Sequence, residues 1–196
     1  MNIVLIKYNA GNIQSVLYAL ERLGVEAEVT ADAERIRAAD KVIFPGVGEA
    51  SSAMKSLREA GLDGVIKGLK QPVLGICVGM QLLCAHSQEN DVKCLNIVPV
   101  QVKKFERLNE KIKIPQMGWN TIHHLKTPLF QNIPEGSFIY NVHSYYAEDS
   151  NYTIAQCDYG VTYAAALQKD NFYGVQFHTE KSAAIGEKII KNFLAI

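Results

Sequence analysis

The sequence has no excess charge of either sign, because its 196 residues include 20 Lys and Arg against 20 Asp and Glu. This balance gives no support for nucleic-acid binding, which relies on a basic surface. No apolar stretch approaches the roughly 18 residues that suggest a membrane-spanning helix. Met1 and Asn2 lead directly into an apolar strand, without the basic region of a signal peptide. We therefore expect neither a nucleic-acid nor a membrane partner.

Cysteine is scarce, and its spacing fits neither a disulfide framework nor a zinc site. The sequence contains no CxxC pair, so we expect no metal and reduced thiols in the cytoplasm. Cys84 falls in a predicted helix and is expected to pack in the core. The loop at 9–12 lacks GxGxxG and Walker patterns, which excludes nucleotide binding there, and we expect no cofactor. The cysteines are Cys77, Cys84, Cys94 and Cys157.

Strand and helix patterns alternate through the first half of the chain. Repeated β-α units of this length predict an α/β fold with a doubly wound, mostly parallel central sheet flanked by helices. Predicted strands cover 3–7, 25–30, 41–44 and 73–76, and helices follow at about 13–23, 31–39, 50–60, 62–69 and 80–86.

The second half has a different pattern, with short strands separated by turns. This predicts a small antiparallel or mixed extension of the sheet. No linker is evident, so we expect residues 1–196 to form a single domain. The strands are predicted at 98–105, 112–115, 137–142, 152–157, 163–168 and 173–177, with a last helix at 185–194.

The most informative motif is Gly75-Ile76-Cys77-Val78-Gly79, which follows an apolar strand. Glycine, nucleophile and glycine between a strand and a helix are the pattern of a nucleophile elbow. The helix N-terminus beside Cys77 favours a thiolate. A buried core cysteine is the alternative interpretation, since free Cys is often buried.

A histidine and a glutamate follow the last predicted strand. His178 is at its end, and Glu180 is expected to point the same way in extended chain. A cysteine nucleophile needs a base and the base an orienting group. We therefore predict a Cys77–His178–Glu180 triad if the two strands are neighbours. Taken singly, His178 could be a satisfied strand-end histidine and Glu180 a solvated helix cap.

The loop Pro45-Gly46-Val47-Gly48 follows the third strand. Ligands of open α/β sheets bind at the carboxyl ends of strands, where this loop and Cys77 both lie. Its glycines allow a backbone N–H to turn toward a tetrahedral oxyanion. We therefore predict an oxyanion hole, with an ordinary turn as the alternative.

Together these blocks resemble the class I glutamine amidotransferases over essentially the whole chain. Within that class they are similar to the glutaminase subunits of imidazole glycerol phosphate synthases. The resemblance rests on the loop at 45–48, the elbow at 75–81, Pro115-Gln116-Met117-Gly118-Trp119-Asn120, His143-Ser144-Tyr145-Tyr146, and the segment at 177–182.

The resemblance implies a flavodoxin-like sheet and hydrolysis of L-glutamine to glutamate and ammonia. Cys77 would attack, His178 would transfer protons, and Glu180 would orient His178. Backbone N–H groups of Val47, after a peptide rearrangement, and of Val78 would bind the oxyanion.

The same resemblance implies substrate and partner sites. The partner would be a cyclase with a (β/α)₈ barrel, forming a heterodimer that receives ammonia through a channel. Residues matching glutamine-binding positions are Gly48, Gln81, Glu89, Ser144 and Tyr145, and those matching interface positions near the channel mouth are Asn12, Tyr140 and Lys181.

Two residues depart from the family pattern. Thr179 replaces the usual proline, which allows a looser His178–Glu180 geometry, and Val78 replaces the usual leucine. Neither change removes a catalytic group. The alternatives that stay open are a paralogous glutaminase serving another synthase, a free-standing γ-glutamyl Cys hydrolase, and a non-catalytic partner-binding domain.

Overall fold

The computed structural model describes residues 1–8, 12–107, 110 and 112–196. Strands and helices alternate in the first half, as predicted. Of the predicted turn at 9–12, only Asn12 lies within the described residues. The elements are β1 (Ile3–Ile6), α1 (Ile13–Arg22), β2 (Glu28–Thr30), α2 (Ala33–Ala38), β3 (Lys41–Gly46), α3 (Ala50–Glu59), α4 (Leu62–Gly68), β4 (Val73–Cys77) and α5 (Val78–Leu83).

The second half consists mainly of strands, followed by one long helix. Short 3₁₀ helices lie at Glu89–Asp91, Pro128–Phe130 and Thr179–Lys181. The remaining elements are β5 (His86–Ser87), β6 (Val92–Lys93), β7 (Gln101–Lys104), β8 (Gln116–Ile122), β9 (Ser137–His143), β10 (Tyr145–Ala147), β11 (Thr153–Tyr159), β12 (Val161–Lys169), β13 (Phe172–Val175) and α6 (Ala183–Ala195).

The central sheet combines a parallel half with an antiparallel extension. Its strand order is β2-β1-β3-β4-β13-β12-β10-β7-β5-β6, and β11 pairs with β12. The first five of these strands pair in parallel, in the order typical of flavodoxin-like sheets. β8 and β9 form a separate antiparallel ribbon. The predicted fold class is therefore confirmed.

The apolar pattern explains the core. β1, β3 and β4 are buried along their whole length, as expected for strands covered on both faces. Each buried Leu, Ile or Val side chain contributes about 1.5–3 kcal/mol. Val16, Ala19 and Leu20 form the buried face of α1, because positions three and four apart share one side of a helix.

Two element predictions are wrong. The segment 112–115 is not a strand, and pairing begins at Gln116, because Pro115 has no N–H to donate to a ladder. The helix predicted to reach residue 86 ends at Leu83. Backbone N–H groups of Ile97 and Val98 bind the Leu83 carbonyl, both at 2.9 Å, which fixes the helix end. Cys84 therefore follows the helix, although it is fully buried as expected.

The strand ends define where a site can form. The carboxyl ends of β3, β4 and β13 lie side by side, since Gly46 pairs with Cys77 and Val175 with Ile76. In the part of the chain that the structure describes, no helix has the length and apolar character to cross a membrane.

Candidate active site

Cys77 lies on a sharp turn between β4 and α5. Its backbone has φ 54° and ψ −112°, a conformation that non-glycine residues rarely adopt. Tight packing surrounds the turn, because a Cβ on Gly79 would lie 1.9 Å from the Phe44 carbonyl oxygen. Only glycine fits there. The elbow predicted from the sequence is thus present, with its cysteine facing a cavity.

The structure brings His178 and Glu180 to Cys77. His178 lines the same cavity as Cys77 and interacts with its sulfur electrostatically, and its Nδ1 lies 2.7 Å from Glu180 Oε1. Glu180 therefore reaches His178 as predicted, but the expected extended backbone is wrong, because Thr179–Lys181 is a 3₁₀ turn. This turn folds the carboxylate back onto the imidazole ring.

The environment of His178 favours its charged form. Burial, the largest single effect, opposes the imidazolium, but hydrogen bonds and negative charge from Cys77 and Glu180 together outweigh it and raise the pKa to about 10. The Glu180 side chain is only 1% exposed. A buried carboxylate with one cationic partner holds that partner in place. The arrangement therefore favours a charged His178 imidazolium beside the Cys77 sulfur.

A cavity of about 340 Å³ opens above the Cys77 sulfur. It contains the predicted catalytic pair, the predicted oxyanion residues and the predicted substrate residues, and Lys181 at its rim. Glu180 lies behind His178 and is not among its lining residues. The lining residues are Val47, Gly48, Cys77, Val78, Gln81, Glu89, Pro115, Val142, His143, Ser144, Tyr145, His178 and Lys181.

The loop at 45–48 borders this cavity beside the elbow. Gly48 has φ 88°, in the region that favours glycine. Buried Tyr8 donates a hydrogen bond of 2.7 Å to the Pro45 carbonyl. The tyrosine thus anchors the start of the loop and leaves the Gly46–Val47 peptide next to the cavity.

Two polar side chains hold the Tyr145 backbone on the opposite wall. Its carbonyl accepts hydrogen bonds from Gln81 Nε2 at 3.0 Å and from His143 Nδ1 at 2.8 Å. Burial lowers the pKa of His143 to about 4, so this imidazole is neutral and donates through Nδ1. The wall is therefore fixed by neutral groups.

Glu89 supplies the negative charge of the cavity. Its Oε2 accepts a hydrogen bond of 2.7 Å from the Ala50 N–H. Partial burial raises the pKa of the carboxyl, although the Ala50 hydrogen bond opposes this shift. The other carboxylate oxygen remains for a cationic group in the cavity.

Sequence reasoning missed Gln176, Tyr8 and His143. Gln176 is fully buried, and its Nε2 lies 3.7 Å from Cys77 Sγ. Its signal was a polar residue two positions before His178, which alternation places on the same side of the chain. Tyr8 carries no comparable signal, because its partner is a distant backbone carbonyl.

The predicted interface residues lie near the Thr179–Lys181 turn, to which Lys181 itself belongs. Asn12 is at the N-terminus of α1, and α1 contacts the Thr179–Lys181 turn. The Tyr140 backbone carbonyl accepts from the His178 N–H at 2.9 Å. The Tyr140 ring packs against the Trp119 ring, and the two ring centroids are 5.7 Å apart.

One face of the β8–β9 ribbon is apolar and exposed. Met117, Trp119 and Phe138 are 66%, 55% and 61% exposed. Register places Trp119 opposite Tyr140 and Met117 opposite Val142, so these side chains share one face. We call Met117, Trp119, Phe138 and Tyr140 the ribbon surface. It runs from Val142, at the cavity wall, outward to solvent.

Comparison with known proteins identifies the family. The family model described as glutamine amidotransferase class-I matches residues 4–196. The chain is a class I glutamine amidotransferase. This amidotransferase is 57% identical over 196 residues to the imidazole glycerol phosphate synthase subunit HisH of Bacteroides fragilis, covering all of both chains. It is 55% identical over 194 residues to HisH of Bacteroides thetaiotaomicron, covering 99% of each chain.

Solved structures show the same fold at low identity. A putative GMP synthase protein from Thermoplasma acidophilum superposes with a TM-score of 0.76 at 19% identity, over all of this chain and 93% of its own. A glutamine amidotransferase superposes with a TM-score of 0.75 at 16% identity, over 100% and 98%. Among the residues described for this amidotransferase, no group of His, Cys, Asp or Glu is arranged to hold a metal.

Replacement of Thr179 by proline in this amidotransferase should raise the free energy of unfolding by about 0.4–1 kcal/mol. Thr179 is the first residue of a 3₁₀ turn, and the φ typical of such a turn is the one to which the proline ring is restricted. His178 before it is extended, at φ −84° and ψ 101°, as a residue preceding proline requires. Urea denaturation of both proteins measures the change. The buried Thr179 hydroxyl has no hydrogen-bond partner, so the substitution breaks no side-chain hydrogen bond. A less stable Thr179→Pro protein would contradict the prediction.

Proposed function

We propose that this amidotransferase is the glutaminase subunit of an imidazole glycerol phosphate synthase, formed by one domain over residues 1–196. It would hydrolyse L-glutamine and deliver ammonia to a cyclase partner with a (β/α)₈ barrel. The observation that carries the proposal is the position of Cys77 and His178 together at one cavity, with Glu180 behind the imidazole. High identity to HisH proteins over the full chain supports the choice of synthase.

The first half of the reaction forms a thioester. The Cys77 thiolate attacks the side-chain amide carbon of glutamine, and the carbonyl π electrons move onto oxygen. The N–H of Val78, joined by that of Val47 once the Gly46–Val47 peptide turns, stabilises this oxyanion. The His178 imidazolium donates its proton to the amide nitrogen, the C–N bond breaks, and ammonia leaves.

The second half restores the enzyme. Neutral His178 removes a proton from water as the water oxygen attacks the thioester carbon. The C–S bond then breaks, glutamate departs, and the Cys77 thiolate faces an imidazolium again. Glu180 holds Nδ1–H throughout, so Nε2 remains the atom that exchanges protons.

The cavity offers matched partners for free glutamine. Glu89 presents a carboxylate to the substrate α-ammonium group. Both Gln81 Nε2 hydrogens are already used, by the Tyr145 carbonyl and by Gln176 Oε1 at 2.9 Å. Gln81 therefore has only its carbonyl oxygen to offer, and we propose that it accepts a hydrogen bond from a substrate N–H.

The ribbon surface is the proposed docking site for the cyclase, together with Asn12 and Lys181. Aromatic residues and Met are enriched in protein interfaces. This surface borders the cavity through Val142, so a partner seated on it would cover the mouth from which ammonia leaves. Covering the mouth would keep ammonia from being protonated in bulk water.

The test compares glutamate release by the chain alone and with the cyclase and its ligand. We expect low activity alone and a rise of about 10²-fold or more in the complex, the magnitude associated with completing an oxyanion hole. A Trp119→Glu variant should need a higher cyclase concentration for the same rise, with an unchanged melting temperature. Vigorous hydrolysis of γ-glutamyl peptides by the lone chain would refute the proposal.

A further inference from the structure

A chain of hydrogen bonds runs through the floor of the cavity to the nucleophile. Gln81 Nε2 donates to the Tyr145 carbonyl at 3.0 Å and to Gln176 Oε1 at 2.9 Å. Gln176 Nε2 then donates to Cys77 Sγ at 3.7 Å, within range for a sulfur acceptor. Gln81 is 2% exposed and Gln176 is 0% exposed. These buried amides therefore hold each other with no competition from bulk solvent.

The polarity of this chain is fixed at its far end. The Tyr145 carbonyl can only accept, so Gln81 must direct its NH₂ group toward it. The second hydrogen of the Gln81 NH₂ group then needs an acceptor. Gln176 is therefore oriented with its side-chain oxygen toward Gln81. Gln176 is left with its NH₂ group facing the sulfur. A flipped Gln176 would bring two NH₂ groups together and leave both unsatisfied.

We propose that Gln176 is a further catalytic residue of this glutaminase: its amide N–H hydrogen-bonds the Cys77 sulfur and stabilises the thiolate. The inference rests on the proposed function. A donor to the charged form of a group favours that form, before attack on the amide and again when the sulfur leaves the thioester. The thioester sulfur, which is uncharged, accepts more weakly.

The backbone of Gln176 keeps its side chain at the sulfur. Its N–H donates to the Ala165 carbonyl of β12 at 2.8 Å, and β13 ends one residue before it. Gln176 is therefore fixed to the sheet, while Gln81 belongs to α5. Together they join the nucleophile to the Tyr145 wall, which we propose binds glutamine.

Other titratable or charged groups also surround Cys77. His178 interacts with the sulfur electrostatically. Tyr8, which follows β1 in the sequence, interacts electrostatically with Cys77. The remaining titratable or charged groups are Glu180 behind His178, and Glu89, His143, Tyr145 and Lys181 in the cavity lining. Variants at Gln176 leave all of these residues in place.

The test is the pH dependence of Cys77 alkylation by iodoacetamide in the isolated, full-length chain, since only the thiolate reacts. Gln176→Met removes the donor and keeps an unbranched side chain. In this variant we expect the midpoint of the pH dependence of Cys77 alkylation to move up by about one pH unit. Gln176→Glu is isosteric and brings a carboxylate to the sulfur, so its midpoint should move further up. Below the native midpoint, alkylation of Gln176→Met should be about tenfold slower.

Two features make the measurement specific. Burial raises the pKa of the other three thiols, and a Cys77→Ala chain with peptide mass spectrometry gives their background. Gln168→Glu is the matched control, because Gln168 lies on the adjacent strand β12 and hydrogen-bonds Tyr173 at 3.1 Å. The control midpoint should equal that of the native chain.

A native midpoint in a folded Gln176→Met chain would overturn the assignment. Where that variant fails to fold, the isosteric Gln176→Glu chain decides, and an unshifted midpoint there would overturn it equally. The alkylation experiment uses no glutamine and no cyclase, so it is independent of the proposed function. In the complex, we also expect Gln176→Met to lower kcat about tenfold with KM little changed.

Discussion

Replacement of Cys77 by alanine should lower the kcat of glutamine hydrolysis by about 10⁶-fold, the scale of losing a covalent nucleophile. Without the sulfur no thioester forms, and His178 has no thiolate partner. The oxyanion donors and the cavity stay, because the alanine Cβ occupies the same position on the elbow. Glutamate release in the complex with the cyclase measures the effect.

Ammonium salts provide the decisive control for this variant. Synthesis by the cyclase from added ammonia bypasses glutamine, so the Cys77→Ala complex should retain it in full. Cys84→Ala is the matched substitution, since Cys84 is buried away from the cavity and should keep both activities. If Cys77→Ala reduced both activities equally, the residue would have a structural role and the thioester mechanism would be rejected.

Glu180→Gln should lower kcat by about 10⁴-fold. Its Oε1 accepts from His178 Nδ1 at 2.7 Å, and its Oε2 is buried without a partner. A glutamine there either turns its NH₂ group toward Nδ1, which selects the wrong tautomer, or buries that group unsatisfied. The imidazolium also loses its negative neighbour in either arrangement.

The pH profile of the same variant separates orientation from packing. Glu180 helps to raise the pKa of His178 to about 10, so its removal lowers that pKa, and the alkaline limb of kcat should move to lower pH. Glu187→Gln on α6 is the control, because this carboxylate pairs with Arg22 at 2.8 Å, outside the lining of the cavity. An alkaline limb that stayed in place would contradict the role of Glu180.

The parallel half of the fold was predictable because its apolar strands and helical spacing are local patterns. The second half was harder, since β5, β6 and β10 have only two or three residues and β8 buries only its two end residues. β10, only three residues long, was missed. The strand predicted at 112–115 failed because Pro115 stops backbone pairing, and the ribbon that begins at Gln116 is fixed by its distant partner β9.

The site was predictable where one side chain implies another. Cys77 on an elbow calls for a base, and His178 at a strand end fits that role. Gln176 and Tyr8 act through contacts with groups 99 and 37 positions away. The contact of Tyr8 has no local pattern, and the alternation of Gln176 with His178 indicates its side of the chain but not its distant partner, so both contacts became visible only when the sheet was assembled.

Strand order also sets the time at which the nucleophile meets its base. β13 follows the other strands of the sheet in the sequence, yet it lies between β4 and β12. During synthesis on the ribosome, β4 therefore has an open edge, and Cys77 is made about a hundred residues before His178. In the nascent chain, the Cys77 thiol therefore has no histidine base beside it. Hydrolysis by the protein can begin only when β13 joins the two parts of the sheet.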